Sequence, residues 1–176
     1  LRFTKMSACS NDYIYINCFD PQNKVASPEF LSIFLSDRHN GVGGDGVVLM
    51  GPSDKADAEM RLFNLDGSEG MMGGNAIRCV AKYLFDNGIA QGQPVGQGRW
   101  QLHIETKSGV KECTVITKNG QAAKVAVDMG QAELAPEKVP VRLEGDKIVN
   151  KPVSIDGSVY NITCCSMGNP HCTVFV

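Results

Sequence analysis

The chain has 176 residues, 43% of them hydrophobic and 20% charged, enough apolar material for a packed core and too much for wholesale disorder. Seventeen basic side chains against 19 acidic ones give a net charge of −2, which leaves no basic footprint for nucleic acid or an anionic membrane surface. No apolar run approaches the ~20 residues of a membrane-spanning helix, and Leu1 to Lys5 carry no hydrophobic signal core, so a cytoplasmic location is expected.

Residues 2–6 and 12–18 read as a strand pair. The second alternates, with Tyr13, Tyr15 and Asn17 on one face and Ile14, Ile16 and Cys18 on the other. Ser27 as N-cap and Pro28 at the first helical position open a helix with the apolar stripe Phe30, Leu31, Phe34 and Leu35. A glycine-rich loop over 41–46 runs into an apolar strand at 47–50. Another strand, 57–64, leads to the turn Asp66-Gly67-Ser68-Glu69. The strongest helix spans 74–87, where Ile77, Val80, Ala81, Leu84 and Phe85 recur at i, i+3, i+4, i+7 and i+8, and Asn87-Gly88 stops it. Residues 91–98 read as loop. Strands follow at 101–106, 112–117 and 122–128, then, after a polar stretch, near 153–155, 159–165 and 172–176. Few helices among many strands joined by short turns make the class α+β, with a mixed, mostly antiparallel sheet.

Gly41, Gly43 and Gly46 fit G-x-G-x-x-G. A dinucleotide site needs that pattern after a strand and before a helix, and here the order is reversed. The glycines instead suit a tight backbone path close to something bulky. Seven cysteines, at 9, 18, 79, 113, 164, 165 and 172, form no Cys-x-x-Cys pair and read as reduced, mostly buried thiols. A loop ending in Gly73-Gly74-Asn75 opens the 74–87 helix, whose first N–H groups have no partner within the helix and favour an anion such as a carboxylate. The plainer alternative is that Asn75 caps the helix and the glycines make the turn. Asn11, Asn64 and Asn169 are further asparagines in turn-like settings. Each offers donor and acceptor without charge, which would suit the ammonium and carboxylate of an amino acid if they converge.

Phe3-Thr4-Lys5-Met6, Asn11-Asp12-Tyr13, Ser36-Asp37-Arg38-His39, Phe63-Asn64, Asp66-Gly67-Ser68-Glu69, Gly74-Asn75, Ile77-Arg78-Cys79 and Ser166-Met167-Gly168-Asn169-Pro170-His171-Cys172 together resemble diaminopimelate epimerases, in that family's order and over nearly the whole chain. The resemblance implies two similar α+β halves, each a mixed sheet wrapped round a central helix. Residues 1–120 would form the first half with its core helix at about 74–87, and residues 121–176 the opening strands of an incomplete second half. It implies an isomerase with no pyridoxal phosphate, metal or other cofactor, one cysteine from each half acting as base or acid. Asn11, Asn64, Asn75 and Asn169 would contact substrate, with Gly74 presenting a backbone N–H. The partners implied are a small amino-acid substrate and a second copy of the chain in a homodimer, with neither nucleic acid nor membrane.

The chain departs from the family pattern at the base cysteine, where Gly73 stands in Met72-Gly73-Gly74-Asn75. Cys79 lies about 1.7 helical turns further on, too far to substitute, and Cys9 does not suit a displaced base. Room for a cysteine side chain is expected at Gly73. Ala8 and Ser10 stand where the family has glycines and are expected to resist positive φ. Leu1 in place of an initiator Met, and the missing second helix, suggest a trimmed or incomplete chain. An epimerase inactive as written is therefore expected. The alternatives are a racemase of another amino acid on the same fold and a non-catalytic binding protein; a phenazine-type isomerase does not fit the Asn-Pro-His-Cys turn.

Overall fold

A computed structural model describes residues 1–175. The chain forms two compact units, Leu1–Asp128 and a second that begins at Met129. The first contains β1 (Thr4–Ala8), β2 (Asn11–Asn17), α1 (Pro28–Ser36), β3 (Gly46–Gly51), β4 (Ala58–Asn64), β5 (Glu69–Gly70), α2 (Gly74–Asp86), β6 (Gln93–Gly96), β7 (Arg99–Thr106), β8 (Gly109–Lys118) and β9 (Gln121–Val127). Its sheet runs β1-β2-β3-β4-β7-β8-β9, with β5 added to β4 and β6 to β7. The β2–β3 and β4–β7 joints are parallel and the rest antiparallel, the mixed α+β sheet expected from sequence. The expected division near residue 120 falls before β9, which pairs with β8 from Lys118↔Gln121 to Cys113↔Val127 and so belongs to this unit.

The alternation in β2 places its two faces against two helices. Ile14 and Ile16 join Val47, Leu49 and Phe63 under Leu31 and Leu35 of α1. Tyr15 points the other way, into the main core with Val48, Met50, Met60, Leu62 and α2. Strand β3 is covered on both faces, which is why its sequence is an unbroken apolar run. Helix α2 buries Ala76, Ile77, Cys79, Val80, Ala81, Leu84 and Phe85, the predicted stripe, and ends at C-cap Asn87. Each large aliphatic side chain so buried contributes roughly 1.5–3 kcal/mol relative to exposure.

Four local expectations are corrected. Helix α1 buries Pro28, Ser32 and Ser36 and leaves Phe30 76% and Phe34 64% exposed, with Leu31 and Leu35 half-buried. The reason is Ser32, whose Oγ donates to the carbonyls of Phe63 (3.0 Å) and Asn64 (2.8 Å), so a small polar face seats the helix where a phenyl ring would hold it off. Ser27 occupies the N-cap position without a side-chain cap bond. Within 91–98, β6 pairs with β7 as an irregular, fully exposed strand; Pro94 is tolerated there as in other edge strands. In the β1–β2 hairpin, Ala8 stays in the strand, while Cys9 (φ 49°) and Ser10 (φ 69°) both take positive φ. Two such residues match the twist of the flanking strands, and the five-pair register overrides their left-handed cost.

The second unit carries β10 (Lys151–Ile155), β11 (Ser158–Ser166) and β12 (Pro170–Val174) in an antiparallel sheet of that order. Val139, Ile148, Ile162 and Cys164 form its small core. The strand expected at 172–176 begins earlier, at Pro170, and ends at Val174; Val176 lies outside the described residues. Among the described residues no helix is long and apolar enough to cross a membrane.

Candidate functional site

The start of α2 is where the predicted residues meet. Gly73 is its N-cap, in extended conformation (φ −129°, ψ 110°), and Gly74 is the first helical residue. Asn75 does not cap the helix. From the second helical position its Nδ2 donates to Asn11 Oδ1 (2.8 Å), and its Oδ1 accepts from the Arg78 guanidinium (3.1 Å). Arg78 also donates to the Gly74 carbonyl oxygen (2.8 Å). On the far side, Asn11 Nδ2 donates to Asp45 Oδ2 (3.0 Å), which also accepts the Asp12 N–H (3.2 Å).

This chain fixes both amide orientations. Arginine only donates and a carboxylate only accepts, so Arg78 at one end and Asp45 at the other leave a single consistent arrangement for Asn75 and Asn11. Asp45 is held in turn by Arg38, whose guanidinium bridges Asp45 Oδ1 (3.0 Å) and both oxygens of Asp12 (2.6 and 3.1 Å). Lys5 Nζ adds a contact to Asp12 Oδ2 (3.0 Å). The bonds from Arg38 and then Lys5 hold the Asp12 carboxyl well below the usual carboxylate range.

The glycine loop serves this network. Gly41, Val42, Gly43 and Gly44 donate their N–H groups to the carbonyls of Asp37, Leu35, Leu35 and Ser36, tying off the end of α1. A side chain at Gly41 would run into the Phe34 carbonyl, and one at Gly46 into that of Phe63. The bulky neighbour anticipated for these glycines is therefore the protein's own backbone, and their close approach brings Asp45 beside Asn11.

The remaining predicted positions are distributed differently. Asn64 lies at the end of β4, and its Nδ2 donates to Ser68 Oγ (3.0 Å) in its own turn, engaging neither Asn11 nor Asn75. Asn169 belongs to the second unit, between β11 and β12, with its Oδ1 3.0 Å from His171 Nε2. At Gly73 the expected room is partly taken: a Cβ would come within 3.0 Å of Leu62 Cδ2 and 3.3 Å of Ala76 Cβ. Extended backbone accepts any residue, so Gly73 is not required by conformation, and a side chain enters if the Leu62 methyl and Ala76 Cβ yield by a few tenths of an ångström. The unit's other thiols are no substitutes. Cys79 faces the core, and burial raises its pKa; burial pushes Cys113 up to about 12.

Arg38 and Arg78 stand in motifs that carry the family resemblance, but sequence gives neither them nor Asp45 a role in the site. Arg78 was within reach, since it stands three residues after Asn75 and four after Gly74, the spacing of neighbours on a helix face. The Asp45–Asn11 contact joins residues 34 apart and gave no local signal.

The diaminopimelate epimerase family profile matches residues 3–135. Diaminopimelate epimerases of Acetivibrio thermocellus and Desulfovibrio desulfuricans are each 46% identical to the chain, over 176 and 182 residues, and that of Agathobacter rectalis is 42% identical over 183. All three alignments take in 100% of this chain and 60–61% of the relative, so the chain spans about 60% of the length of these curated relatives. Among solved structures, a probable proline racemase from Agrobacterium radiobacter K84 aligns at TM-score 0.65 with 15% identity, over 98% of this chain and 51% of the other. A hydroxyproline epimerase from Agrobacterium vitis aligns at 0.64 with 13% identity, over 98% and 50%. These two likenesses establish the fold.

Proposed function

Because the chain belongs to the diaminopimelate epimerase family, we propose that it holds diaminopimelate at the start of α2, as part of a cytoplasmic, cofactor-independent epimerase acting between the LL and meso forms in lysine and cell-wall precursor synthesis. The observation that carries this reading is the Asn11–Asn75 pair, locked by Asp45 and Arg78 beside the helix start. In this proposal the N–H groups of Gly74 and its neighbours receive the α-carboxylate, where the helix dipole favours negative charge. Asn11 and Asn75 line that point. A base at residue 73 would remove the α-hydrogen while those donors meet the developing charge. Gly73 has no group to do so, and the chain as written binds without inverting. That same residue favours a second reading, a binding protein that keeps the fold, since extended backbone at 73 does not demand glycine.

The test is nuclear magnetic resonance of the isotope-labelled chain titrated with meso-diaminopimelate in deuterated water. Shifts of the Gly74, Asn75 and Asn11 amides without loss of the substrate α-hydrogen signal are expected. Unmoved amides would overturn the substrate reading, and α-hydrogen exchange would overturn the assignment of Gly73 as a lost base.

A further inference from the structure

We propose that Cys164 and Cys172 form an oxidisable dithiol, a modification site that closes to a disulfide by exchange with a small organic disulfide. The two residues stand directly opposite one another in the β11–β12 ladder. Their pair type follows from the backbone. Cys164 donates its N–H to the Ile148 carbonyl (2.9 Å), while Ser166 exchanges N–H and carbonyl bonds with Glu133 (2.8 and 2.9 Å). These residues of β11 thus direct their backbone groups away from β12, and Cys164↔Cys172 is a non-hydrogen-bonded pair. Such pairs bring Cα atoms to about 4.5 Å with side chains on one face, inside the ~4.4–6.8 Å that a disulfide spans. Cys165 is the neighbouring residue of the strand, faces the other side, and opposes His171.

The two thiols differ in access. Cys172 is exposed, whereas Cys164 is 2% exposed among Val139, Ile148 and Ile162. Burial first, and then contact with the Cys172 thiol, pushes Cys164 above the ordinary thiol range. The accessible thiol therefore reacts first. The Cys172 thiolate attacks one sulfur of the oxidant and expels one small thiolate, which takes up the proton Cys172 lost. Cys164 then gives up its proton and attacks the Cys172 sulfur of the mixed disulfide, expelling a second small thiol. Two protein S–H groups become one S–S bond, and the oxidant is reduced to two thiols. The new bond clasps the turn that carries Asn169.

The experiment incubates the chain with oxidised glutathione, quenches it in acid and cleaves at methionine with cyanogen bromide. Cleavage at Met167 separates Cys164 and Cys165 from Cys172. The expected result is that the piece ending at Met167 and the piece starting at Gly168 stay joined, come apart with dithiothreitol, stay joined in Cys165→Ser, and separate in Cys164→Ser and in Cys172→Ser. Because Cys172 is exposed, its variant reports even if Cys164→Ser unfolds. A join that survives Cys164→Ser, or a Cys172 that carries only glutathione in the parent chain, would overturn the proposal.

Discussion

Asn75, in the first turn of α2, hydrogen-bonds Asn11, which follows the β1–β2 turn, Nδ2 to Oδ1 at 2.8 Å across 64 residues of sequence. One amide thus ties the central helix to the edge hairpin while its own acceptor is held by Arg78.

Asn75→Ala removes that tie and strips Arg78 of one acceptor. A loss of about 1 kcal/mol in urea denaturation is expected, and Asn11→Ala should cost a similar amount. The double variant should lose less than the sum, because each single change already breaks the shared bond. Strictly additive losses would show that the bond contributes nothing.

Arg38→Gln probes the Asp12 cluster through pH. Asp12 has its carboxyl pKa depressed, so its contribution is complete above the ordinary value of 3.8 and fades as pH falls through the lowered one. The parent chain should exceed the variant in urea midpoint at neutral pH. The gap should narrow below pH 3.8 and shrink in high salt, since Arg38 is more than half exposed. A gap unchanged down to strong acid would refute the coupling.

Gly73→Cys should fold, because residue 73 is extended and the Leu62 methyl and Ala76 Cβ need give by only a few tenths of an ångström. The introduced thiol would sit at the N-terminus of a 13-residue helix, where the thiolate is favoured. Its iodoacetamide reaction should reach half its limiting rate below ~pH 8.5, the ordinary thiol value. Native Cys113, pushed up to about 12 by burial, should stay unreacted under the same conditions. A half-point at or above 8.5 would argue that the helix end exerts no pull at this position.

Two buried serines of α1 should behave oppositely. Ser32→Ala leaves the Phe63 and Asn64 carbonyls without their hydroxyl donor and should cost ~1–3 kcal/mol. Ser36 Oγ is buried with no partner among the described residues, so Ser36→Ala should be neutral or stabilising. Thermal or urea unfolding of both variants decides it; equal losses would contradict the distinction.

Where packing followed periodicity, sequence was a sufficient guide. The 3.6-residue stripe located α2 to within a residue of its end, and the two-residue alternation placed Ile14 and Tyr15 on opposite faces. It failed on α1 because Ser32 seats that helix through hydrogen bonds to β4, which no hydrophobic pattern records. The site was legible in part for the same reason. The helix start and Asn75 announce themselves locally, but Asn75 is oriented by Arg78 and Asn11, and Asn11 by Asp45 from a distant loop.

The parallel joint between β4 and β7 also bears on how fast the chain can fold. Ala58 pairs with Ile104, and the neighbouring Asp57–His103 contact spans 46 residues that include all of α2. Joining such remote segments costs chain entropy before any contact repays it, and dependence on long-range pairs slows folding. Helix α2 lies within that connection and packs against both strands. Forming α2 early would shorten the span left to close, so core substitutions at Ile77, Val80 and Leu84 are expected to slow folding as well as destabilise the folded chain.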